Sequence, residues 1–456
     1  MTYLKSINPY TLQEINRYPV LDNKALEKRL ARAEKAFVAY RKVSLAQRAA
    51  QLRQLAELLR REAPEQAPLL TREMGKPLAE ARAEIEKCAW LCDYYAEQGE
   101  AFLQEQEIKT DAHYSAVRYR PIGAVLAIMP WNFPFWQVFR FAVPALMLGN
   151  AGLLKHAPNV QGCAEAIEKL ILKAGFPEGI LQNLPITTGQ VESVIADQRV
   201  QGVTLTGSEQ AGKAVAQQAG AHLKKTVLEL GGSNAMVILK DAHLDKAITL
   251  AVKARMMNNA QSCIAAKRFI VTGHRAAAFA ERLKEKLEKL PMGDPMLENT
   301  AVGPLARVDL AEKLEQQVQQ SLAAGAKLIT GGRRQEAFYE PTILTEVKPG
   351  MPAFNEELFG PVAAVISAES EAEAMHLAAA TKYGLGLSII TPDMERAQKL
   401  STHVPDGAVF INELVKSDPR LPFGGTKNSG YGRELAREGL LEFANRQTYY
   451  LQKDLT

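Results

Sequence analysis

The chain has 456 residues, of which 47% are hydrophobic and 23% are charged. These fractions match those of ordinary globular proteins and exclude the disordered, collagen-like and coiled-coil classes. Lys and Arg exceed Asp and Glu by 55 − 51 = 4, and no Lys/Arg-rich block occurs, so we expect no nucleic-acid partner.

The cysteines and the amino-terminal segment indicate the cellular compartment in which the protein is expected. Four cysteines in a chain of this length do not make a disulfide framework, and their spacing predicts no metal site. The first residues lack the apolar stretch of a secretory signal, and no apolar run reaches about 18 residues without a charge. We therefore expect a cytoplasmic, reduced protein with no membrane partner, in which one cysteine could be a nucleophile.

The first hundred residues are predicted to be helical. Apolar residues at 3.6-residue spacing among many charges indicate packed surface helices at 26–37, 46–60 and 77–98. The segment 107–120 then alternates apolar and polar residues, which is typical of a β-hairpin.

Strands and helices alternate over the rest of the chain. The first predicted series has strands at 125–129, 151–155, 180–184, 202–206 and 226–230, and helices at 139–148, 160–174 and 209–219. The second has strands at 235–239, 268–272, 327–330, 363–367, 387–390 and 408–412, and helices at 246–256, 276–290, 310–324, 371–379 and 394–402. This rhythm predicts an α/β fold with two doubly wound domains that meet near residues 231–232. The hairpin and a last strand at 448–451 should pair with each other or with another subunit.

A glycine-flanked helix start follows the strand at 202–206. Its sequence GSEQAGKA (207–214) has the spacing of a P-loop, but Ala214 stands where that loop needs a hydroxyl for Mg²⁺. The sequence therefore argues against a P-loop NTPase. What remains is a helix amino terminus, with Ser208 as its cap, that attracts phosphate through free N–H groups.

Three further residues have the chemistry of a carbonyl-transforming site. Asn132 lies between two prolines just past a buried strand, where its amide could donate to an oxyanion or simply rigidify a turn. Glu229 ends an apolar strand before two glycines and could be a general base. Cys263 lies in a polar stretch, which favours reactivity. Taken singly, each pattern also has a purely structural explanation.

Seven segments, in order and at the right spacing, resemble the signatures of the aldehyde dehydrogenase superfamily. They are PWNFP (130–134), LLK (153–155), TGS (206–208), ELGG (229–232), QSC (261–263), ELFGP (357–361) and PFGGTKNSG (422–430). The resemblance implies three units, namely a cofactor-binding domain (1–106 and 124–230), a catalytic domain (231–420) and a small β oligomerisation element (107–123 and 436–456). Residues 421–435 would return to the cofactor-binding domain, and the β element would join a homodimer or homotetramer.

The resemblance also implies a catalytic role for each of the three residues. Cys263 would attack a small-molecule aldehyde and form a thiohemiacetal. The Asn132 side chain and the Cys263 backbone N–H would hold the oxyanion. Glu229 would activate the water that hydrolyses the resulting thioester. Since CoA-acylating relatives lack this glutamate, its presence implies a free carboxylic acid as product.

The implied cofactor is NADP or NAD, with no metal. By resemblance, Lys155 would bind the adenosine ribose, Gly207 and Ser208 the pyrophosphate, Glu357 the nicotinamide ribose, and Met129, Trp131, Leu230 and Phe359 the nicotinamide end. Many NAD-preferring members have Glu three residues after this lysine, where Pro158 stands here. Without that carboxylate, Lys155 together with His156 could attract a 2′-phosphate. We therefore expect dual use of the two cofactors.

The predicted substrate clue is Arg140, a lone cation on an apolar helix face. It could bridge to a carboxylate of the protein or clamp a carboxylate of the substrate. Succinate-semialdehyde dehydrogenases, which this sequence is similar to, have Arg at this position. Ser417 could add a hydroxyl, and Phe423 would line the same pocket. A second Arg found in those enzymes is replaced by Met257, with Arg255 two residues out of register.

Three hypotheses follow from the sequence. The first is oxidation of succinate semialdehyde to succinate. The second is a broad-specificity dehydrogenase of aliphatic or aromatic aldehydes, in which Arg140 is structural. The third is a non-catalytic protein of the same fold, which the presence of Cys263, Glu229 and Asn132 makes unattractive.

Overall fold

A computed structural model describes residues 2–402 and 404–453. The amino-terminal part contains β1 (Tyr3–Ile7), β2 (Glu14–Pro19), α1 (Asn23–Tyr40), α2 (Leu45–Met74) and α3 (Leu78–Phe102). The three helices confirm the predicted ones but are longer, and the two strands were not predicted. Helix α2 continues through Pro64 and Pro68, although a proline removes a backbone donor and usually interrupts a helix.

The middle of the chain forms a predominantly parallel sheet with its helices. Before it come β3 (Gln106–Glu107) and β4 (Tyr114–Pro121), which belong to a separate three-stranded sheet. The elements of the parallel sheet and its helices are β5 (Ala124–Met129), α4 (Trp136–Leu148), β6 (Ala151–His156), α5 (Gln161–Lys173), β7 (Leu181–Asn183), α6 (Val191–Ala196), β8 (Val200–Thr206), α7 (Glu209–Ala221) and β9 (Lys225–Glu229). Short 3₁₀ helices lie at Pro158–Val160 and Thr188–Gln190.

The second series begins after the predicted boundary. Its elements are β10 (Asn234–Ile238), α8 (Leu244–Met256), β11 (Ala266–Thr272), α9 (Ala276–Leu287), α10 (Val308–Ala323), β12 (Lys327–Thr330), β13 (Arg334–Gln335), β14 (Phe338–Tyr339), β15 (Thr342–Thr345), α11 (Pro352–Asn355), β16 (Val362–Ala368), α12 (Glu371–Ala379), β17 (Tyr383–Gly384), β18 (Leu387–Ile390), α13 (Met394–Ser401) and β19 (Val409–Ile411). The chain ends with β20 (Thr426–Lys427), β21 (Gly430–Tyr431), α14 (Ala436–Glu442) and β22 (Ala444–Leu451).

Two large sheets confirm the predicted α/β class. The first has the order β21-β9-β8-β5-β6-β7, and only β21 is antiparallel to its neighbour. The second has the order β12-β15-β16-β11-β10-β18-β19, and only β12 is antiparallel. Along β10, Ala235 and Val237 join one buried cluster while Met236 and Ile238 join another, so both faces of this sheet are covered.

The predicted hairpin and the terminal strand pair with each other. Strand β22 runs antiparallel to β4 from Ala444↔Pro121 to Leu451↔Tyr114, and β3 pairs with the other edge of β4. Strand β21 pairs antiparallel with β9 at the edge of the first sheet. No helix in the described part of the chain is long and apolar enough to span a bilayer.

The topology places one crevice at the carboxyl ends of the strands. From β5 the chain moves outward through β6 and β7, then returns to the other side of β5 with β8 and β9. In doubly wound sheets, ligands bind outside the carboxyl ends of the strands at this reversal. Strand β5 leads here into Asn132, β8 into Gly207, and β9 ends at Glu229.

Candidate active site

A buried histidine fixes the loop that contains Asn132. His156 ends β6 beside Met129 of β5, and its Nε2 lies 2.9 Å from the Pro134 carbonyl oxygen. Its Nδ1 accepts a hydrogen bond from the Ala157 N–H at 3.0 Å. Burial lowers the pKa of His156 to about 4, so the ring is neutral near pH 7. The expectation that His156 helps to attract a 2′-phosphate is therefore wrong, because the ring is uncharged and only 1% exposed.

Asn132 joins this loop to the segment before Cys263. Its Nδ2 donates to the Gln261 carbonyl oxygen at 3.0 Å, and its own carbonyl oxygen accepts from Asn258 Nδ2 at 2.7 Å. The side chain is buried, and its Oδ1 has no hydrogen-bond partner among the described residues. Because the amide group has two N–H bonds, one remains for an incoming oxygen.

The backbone before the cysteine is strained. Asn258, Asn259 and Ala260 have φ angles of 62°, 53° and 61°, a left-handed conformation that is unfavourable for Ala in particular. Arg255 is completely buried and holds this turn, donating to the carbonyl oxygens of Ala260 (3.2 Å), Ala266 (3.1 Å), Leu358 (3.0 Å) and Gly360. Arg255 therefore acts on the backbone and does not replace the second substrate arginine that the sequence lacks.

Cys263 is half-buried at the end of this turn. Lys267 donates to the carbonyl oxygens of Ser262 and Cys263 at 2.9 and 2.6 Å, and to Glu357 Oε1 at 3.2 Å. Burial raises the pKa of the Cys263 thiol to about 11, and the charges of Arg140 and Lys267 partly oppose the rise. The thiol is therefore protonated near neutral pH and needs a base to become a nucleophile.

Glu229 supplies a buried carboxylate with free oxygens. It is 2% exposed, and neither carboxylate oxygen has a hydrogen-bond partner among the described residues. Burial raises its pKa well above the ordinary range, and the neighbouring Glu434 raises it further. A Cβ atom at Gly424 would lie 2.8 Å from Glu229 Oε1, so the glycine leaves room for this carboxylate. A raised pKa makes the ionised form a stronger base.

Arg140 is engaged with a carboxylate that the sequence interpretation missed. Its Nε lies 2.7 Å from Glu434 Oε2 in an ion pair, and its guanidinium lies over the Phe423 ring at 4.6 Å. Its Nη2 is 3.5 Å from Thr206 Oγ1. Of the two roles considered for Arg140, the ion pair with a carboxylate of the protein is therefore the one observed. The sequence offered no signal for this pairing, because Glu434 is far away in the chain and β21 brings it back.

A cavity of about 10 Å³ lies behind this ion pair, the room of a single water molecule. Arg140, Arg433, Glu434 and Thr204 are among its lining residues. These polar groups could hold one water beside the Glu434 carboxylate.

Helix α3 also contributes to the site, although its sequence was interpreted as a packed surface helix. Glu84 Oε1 accepts the N–H groups of Phe135 (2.8 Å) and Trp136 (2.9 Å), which begin α4, and its carboxylate pairs with Lys76. Glu80 Oε2 accepts the Asn258 N–H at 2.6 Å, and burial raises the pKa of Glu80 to about 7. The available signal was the i, i+4, i+7 spacing of Glu80, Glu84 and Lys87, which places them on one helix face.

The crevice residues fit a dinucleotide. Lys155 is half-buried, burial lowers its pKa, and no carboxylate among the described residues pairs with it, while Pro158 nearby is exposed. Ser208 caps α7 by accepting the Ala211 N–H at 3.2 Å, and the Gly207 N–H donates to the Glu229 carbonyl oxygen. An unpaired cation and a capped helix amino terminus therefore lie at the crevice. Both favour the binding of an anionic ligand.

Several residues that the resemblance assigns to the nicotinamide end make close contacts. Glu357 Oε1 accepts the Gly232 N–H at 3.1 Å, and a Cβ at Gly231 would collide with Glu357 Oε2. Trp131 and Phe359 contact edge to face with ring centroids 5.7 Å apart. Leu230 is buried against α7, where a Cβ atom at Gly212 would lie 2.6 Å from the Leu230 side chain. Met129, at the end of β5, is also buried. Within the described ranges, no three His, Cys, Asp or Glu side chains form a group able to hold a metal ion.

Comparison with known proteins assigns this arrangement to one family. Residues 1–449 match the model of the aldehyde dehydrogenase family. A protein of Synechocystis sp. named a probable succinate-semialdehyde dehydrogenase (NADP(+)) is 47% identical over 98% of this chain and 99% of its own length. An Escherichia coli K12 protein named a succinate semialdehyde dehydrogenase (NAD(P)+) is 45% identical over 98% of both chains.

Solved structures agree with the sequence comparison. A succinic semialdehyde dehydrogenase from Streptococcus pyogenes, solved in complex with NADP+, superposes with a TM-score of 0.96 at 38% identity. The match covers 99% of this chain and 100% of that one.

Proposed function

Because the chain belongs to the aldehyde dehydrogenase family, we propose that it oxidises succinate semialdehyde to succinate, with NADP+ or NAD+ as the hydride acceptor. The observation that carries the proposal is one buried cluster that combines a thiol, an amide, a carboxylate and a guanidinium. The first three perform the oxidation, and the guanidinium of Arg140, paired with Glu434, adds positive charge near the reacting carbon.

The first step forms a bond between the Cys263 sulfur and the aldehyde carbon. Glu229 accepts the thiol proton, and the carbonyl oxygen becomes an oxyanion in a thiohemiacetal. The free N–H of Asn132 Nδ2 and the Cys263 backbone N–H donate to that oxyanion. One such donor contributes about 10²–10³ in rate.

The second half produces the free acid. NAD(P)+ held by Lys155, Ser208 and Glu357 would supply the acceptor for the hydride of the former aldehyde carbon, and Cys263 would then carry a thioester. Glu229 first releases the thiol proton to solvent and then takes a proton from the attacking water. The hydroxide bonds to the thioester carbon, the C–S bond breaks to release succinate, and the proton on Glu229 returns to the Cys263 thiolate. Its raised pKa and unpartnered oxygens suit Glu229 to this second proton transfer.

We propose that Lys155 and Pro158 permit NADP+ as well as NAD+. A glutamate at position 158 would place a negative charge near a 2′-phosphate, so Pro158→Glu should reduce kcat/KM for NADP+ by about tenfold or more, with a smaller effect on NAD+. A wild-type preference above about 100-fold for NAD+ would overturn the proposal.

A panel of aldehydes tests the substrate assignment. Succinate semialdehyde, glutarate semialdehyde, butanal and benzaldehyde should be compared with both cofactors, and kcat/KM for succinate semialdehyde should exceed that for butanal by about 100-fold. Equal values would favour the broad-specificity alternative with a structural Arg140. Arg140→Ala alone would leave the buried Glu434 carboxylate without a counter-charge. The double variant Arg140→Met with Glu434→Gln is therefore the better test of Arg140.

We also propose a cytoplasmic homodimer or homotetramer that is joined through the three-stranded sheet β22-β4-β3. Strand β22 is a sheet edge, and Tyr450 and Leu451 on it are 51% and 41% exposed. All four cysteines are free thiols, which is compatible with a reducing compartment. Light scattering of the wild type and of a chain truncated before β22 tests the assembly, because the truncated chain should lose the oligomer.

A further inference from the structure

Lys87 is a cation without a carboxylate partner among the described residues, beside Ser417, which the sequence analysis assigned to substrate binding. It lies on α3, and its Nζ donates to Ser417 Oγ at 2.9 Å and lies over the Trp136 ring at 4.2 Å. Between residues 2 and 402 and between 404 and 453, no carboxylate lies within ion-pair distance of this nitrogen. A partly buried ammonium loses hydration, and one hydroxyl and one ring replace only part of it.

The other cation of this region is already neutralised. Arg140 pairs with Glu434, whose carboxylate would otherwise remain buried without a counter-charge. Lys87 and Arg140 affect each other electrostatically, and Arg140 in turn affects Cys263 and Glu229, so one cluster extends from Lys87 to the reaction centre. Positive charge therefore exceeds negative charge on the side of this cluster where Lys87 lies.

The Ser417 hydroxyl lies beside Lys87 and keeps its own hydrogen free. Its Oγ accepts hydrogen bonds from Lys87 Nζ and from Trp136 Nε1 at 3.1 Å. Both are donors, so the hydroxyl hydrogen of Ser417 is not used by either contact. A carboxylate placed here could accept from the ammonium and from the hydroxyl at once.

We propose that Lys87, with Ser417, binds the distal carboxylate of the aldehyde substrate and is the residue that determines specificity for a carboxylate-bearing aldehyde. Arg140 then acts mainly as the partner of Glu434 and as positive charge near the reacting carbon. The inference rests on the proposed function and adds to it the residue that recognises the substrate.

The inference has a pH consequence. Burial lowers the pKa of Lys87 to about 8, and Arg140 lowers it further, while Glu84 on α3 and Asp418 next to Ser417 oppose the shift. Cys88 also adjoins it but is buried with a pKa raised well above the ordinary range, so it stays neutral. Because only the ammonium attracts an anion, the KM for a carboxylate-bearing aldehyde should rise with pH above about 8. The KM for butanal should lack this rise.

Three variants test the inference. Lys87→Met should lower the ratio of kcat/KM for succinate semialdehyde to that for butanal by about 20-fold or more, mainly through KM. Lys87→Arg retains the charge, should retain most of the ratio, and should lose the rise of KM above pH 8. Arg82→Met is the matched control, since it removes a charge from the exposed face of the same helix. It should leave the ratio within about twofold.

The outcomes separate the two proposals. A wild type that does not prefer succinate semialdehyde over butanal overturns the proposed function, and this inference with it. A preference that persists in Lys87→Met overturns the inference alone and returns the carboxylate to Arg140. Equal losses on both aldehydes would show that Lys87 is structural. If Lys87→Met fails to fold, an unchanged pH profile in Lys87→Arg also overturns the inference.

Discussion

Two groups of buried polar residues lie next to each other in this molecule and differ in one respect. In the supporting group, His156, Lys267 and Arg255 use most of their donors on backbone carbonyl oxygens. In the reaction centre, Asn132 Oδ1 and both oxygens of Glu229 have no partners among the described residues. The two groups are equally hidden from water, so burial alone does not distinguish them.

The supporting group therefore holds the geometry of the site, whereas the reaction centre keeps polar atoms free to bind a ligand. A buried polar atom without a partner costs about 1–3 kcal/mol, so the reaction centre is retained at the expense of stability. Substitutions there should lower activity and leave stability unchanged or improved. Substitutions in the supporting group should lower both.

The largest expected effect is on the nucleophile. Cys263→Ala should reduce kcat by about 10⁴-fold or more, because no other thiol in the described chain is near the reaction centre. Its melting temperature should stay within about 2 °C of the wild type. Residual turnover near the wild-type rate would mean that the reaction does not pass through this sulfur.

Glu229→Gln should affect the second half of the reaction most. Amide nitrogen and oxygen fill the same space but cannot take a proton from water, so steady-state kcat should fall by about 10²–10⁴-fold. Because Glu229 also accepts the thiol proton in the first step, the test is best made at about pH 10, where part of the Cys263 thiol ionises without a base. There a burst of reduced cofactor, close to one per active site, should precede the slow phase. Without a burst, the role of Glu229 in thioester hydrolysis would have to be given up.

Arg255→Met examines the supporting group. The substitution leaves the carbonyl oxygens of Ala260 and Leu358 without their donor, beside a turn that is already strained. We expect the melting temperature to fall by several degrees, equivalent to about 3 kcal/mol, together with a loss of activity. Arg333→Met, on the surface, serves as control. A fully stable Arg255→Met that is merely inactive would remove the distinction between the two groups.

The smallest expected effect is the change, per pH unit, in the alkylation rate of the Cys263 thiol. Since burial raises the pKa of its thiol to about 11, the alkylation rate of the free enzyme should increase about tenfold per pH unit between pH 7 and 10. The slope can be measured with iodoacetamide, and Cys263→Ala gives the background from other thiols. A rate that is already constant at pH 7 would indicate a free thiolate, and Glu229 would not be needed to activate it.

The sequence predicted the reaction centre better than its surroundings. The alternating series, the hairpin and nearly every strand of the two sheets are confirmed, because periodicity and turn residues are local signals. The assembly of Cys263, Asn132 and Glu229 followed from the order of recognisable segments. Strands β1 and β2 and the extension of α2 past Pro64 were missed, because tertiary packing outweighed the local pattern there.

The electrostatic partners were the least predictable part. Lys87 and Ser417 are 330 residues apart, and Arg140 meets Glu434 only because β21 joins the first sheet. The burial that makes His156 neutral likewise depends on a loop that closes over it. A single sequence records which residues are charged but not which of them meet.

Simultaneous measurement of reduced cofactor and acid product tests the central claim most directly. The wild type should be incubated with succinate semialdehyde and NADP+ in the absence of CoA, with NADPH followed by absorbance and succinate quantified after quenching. The account predicts one succinate for each NADPH over many turnovers, and neither product in Cys263→Ala. Formation of NADPH only when CoA is present, or no NADPH from succinate semialdehyde while butanal is oxidised, would contradict it.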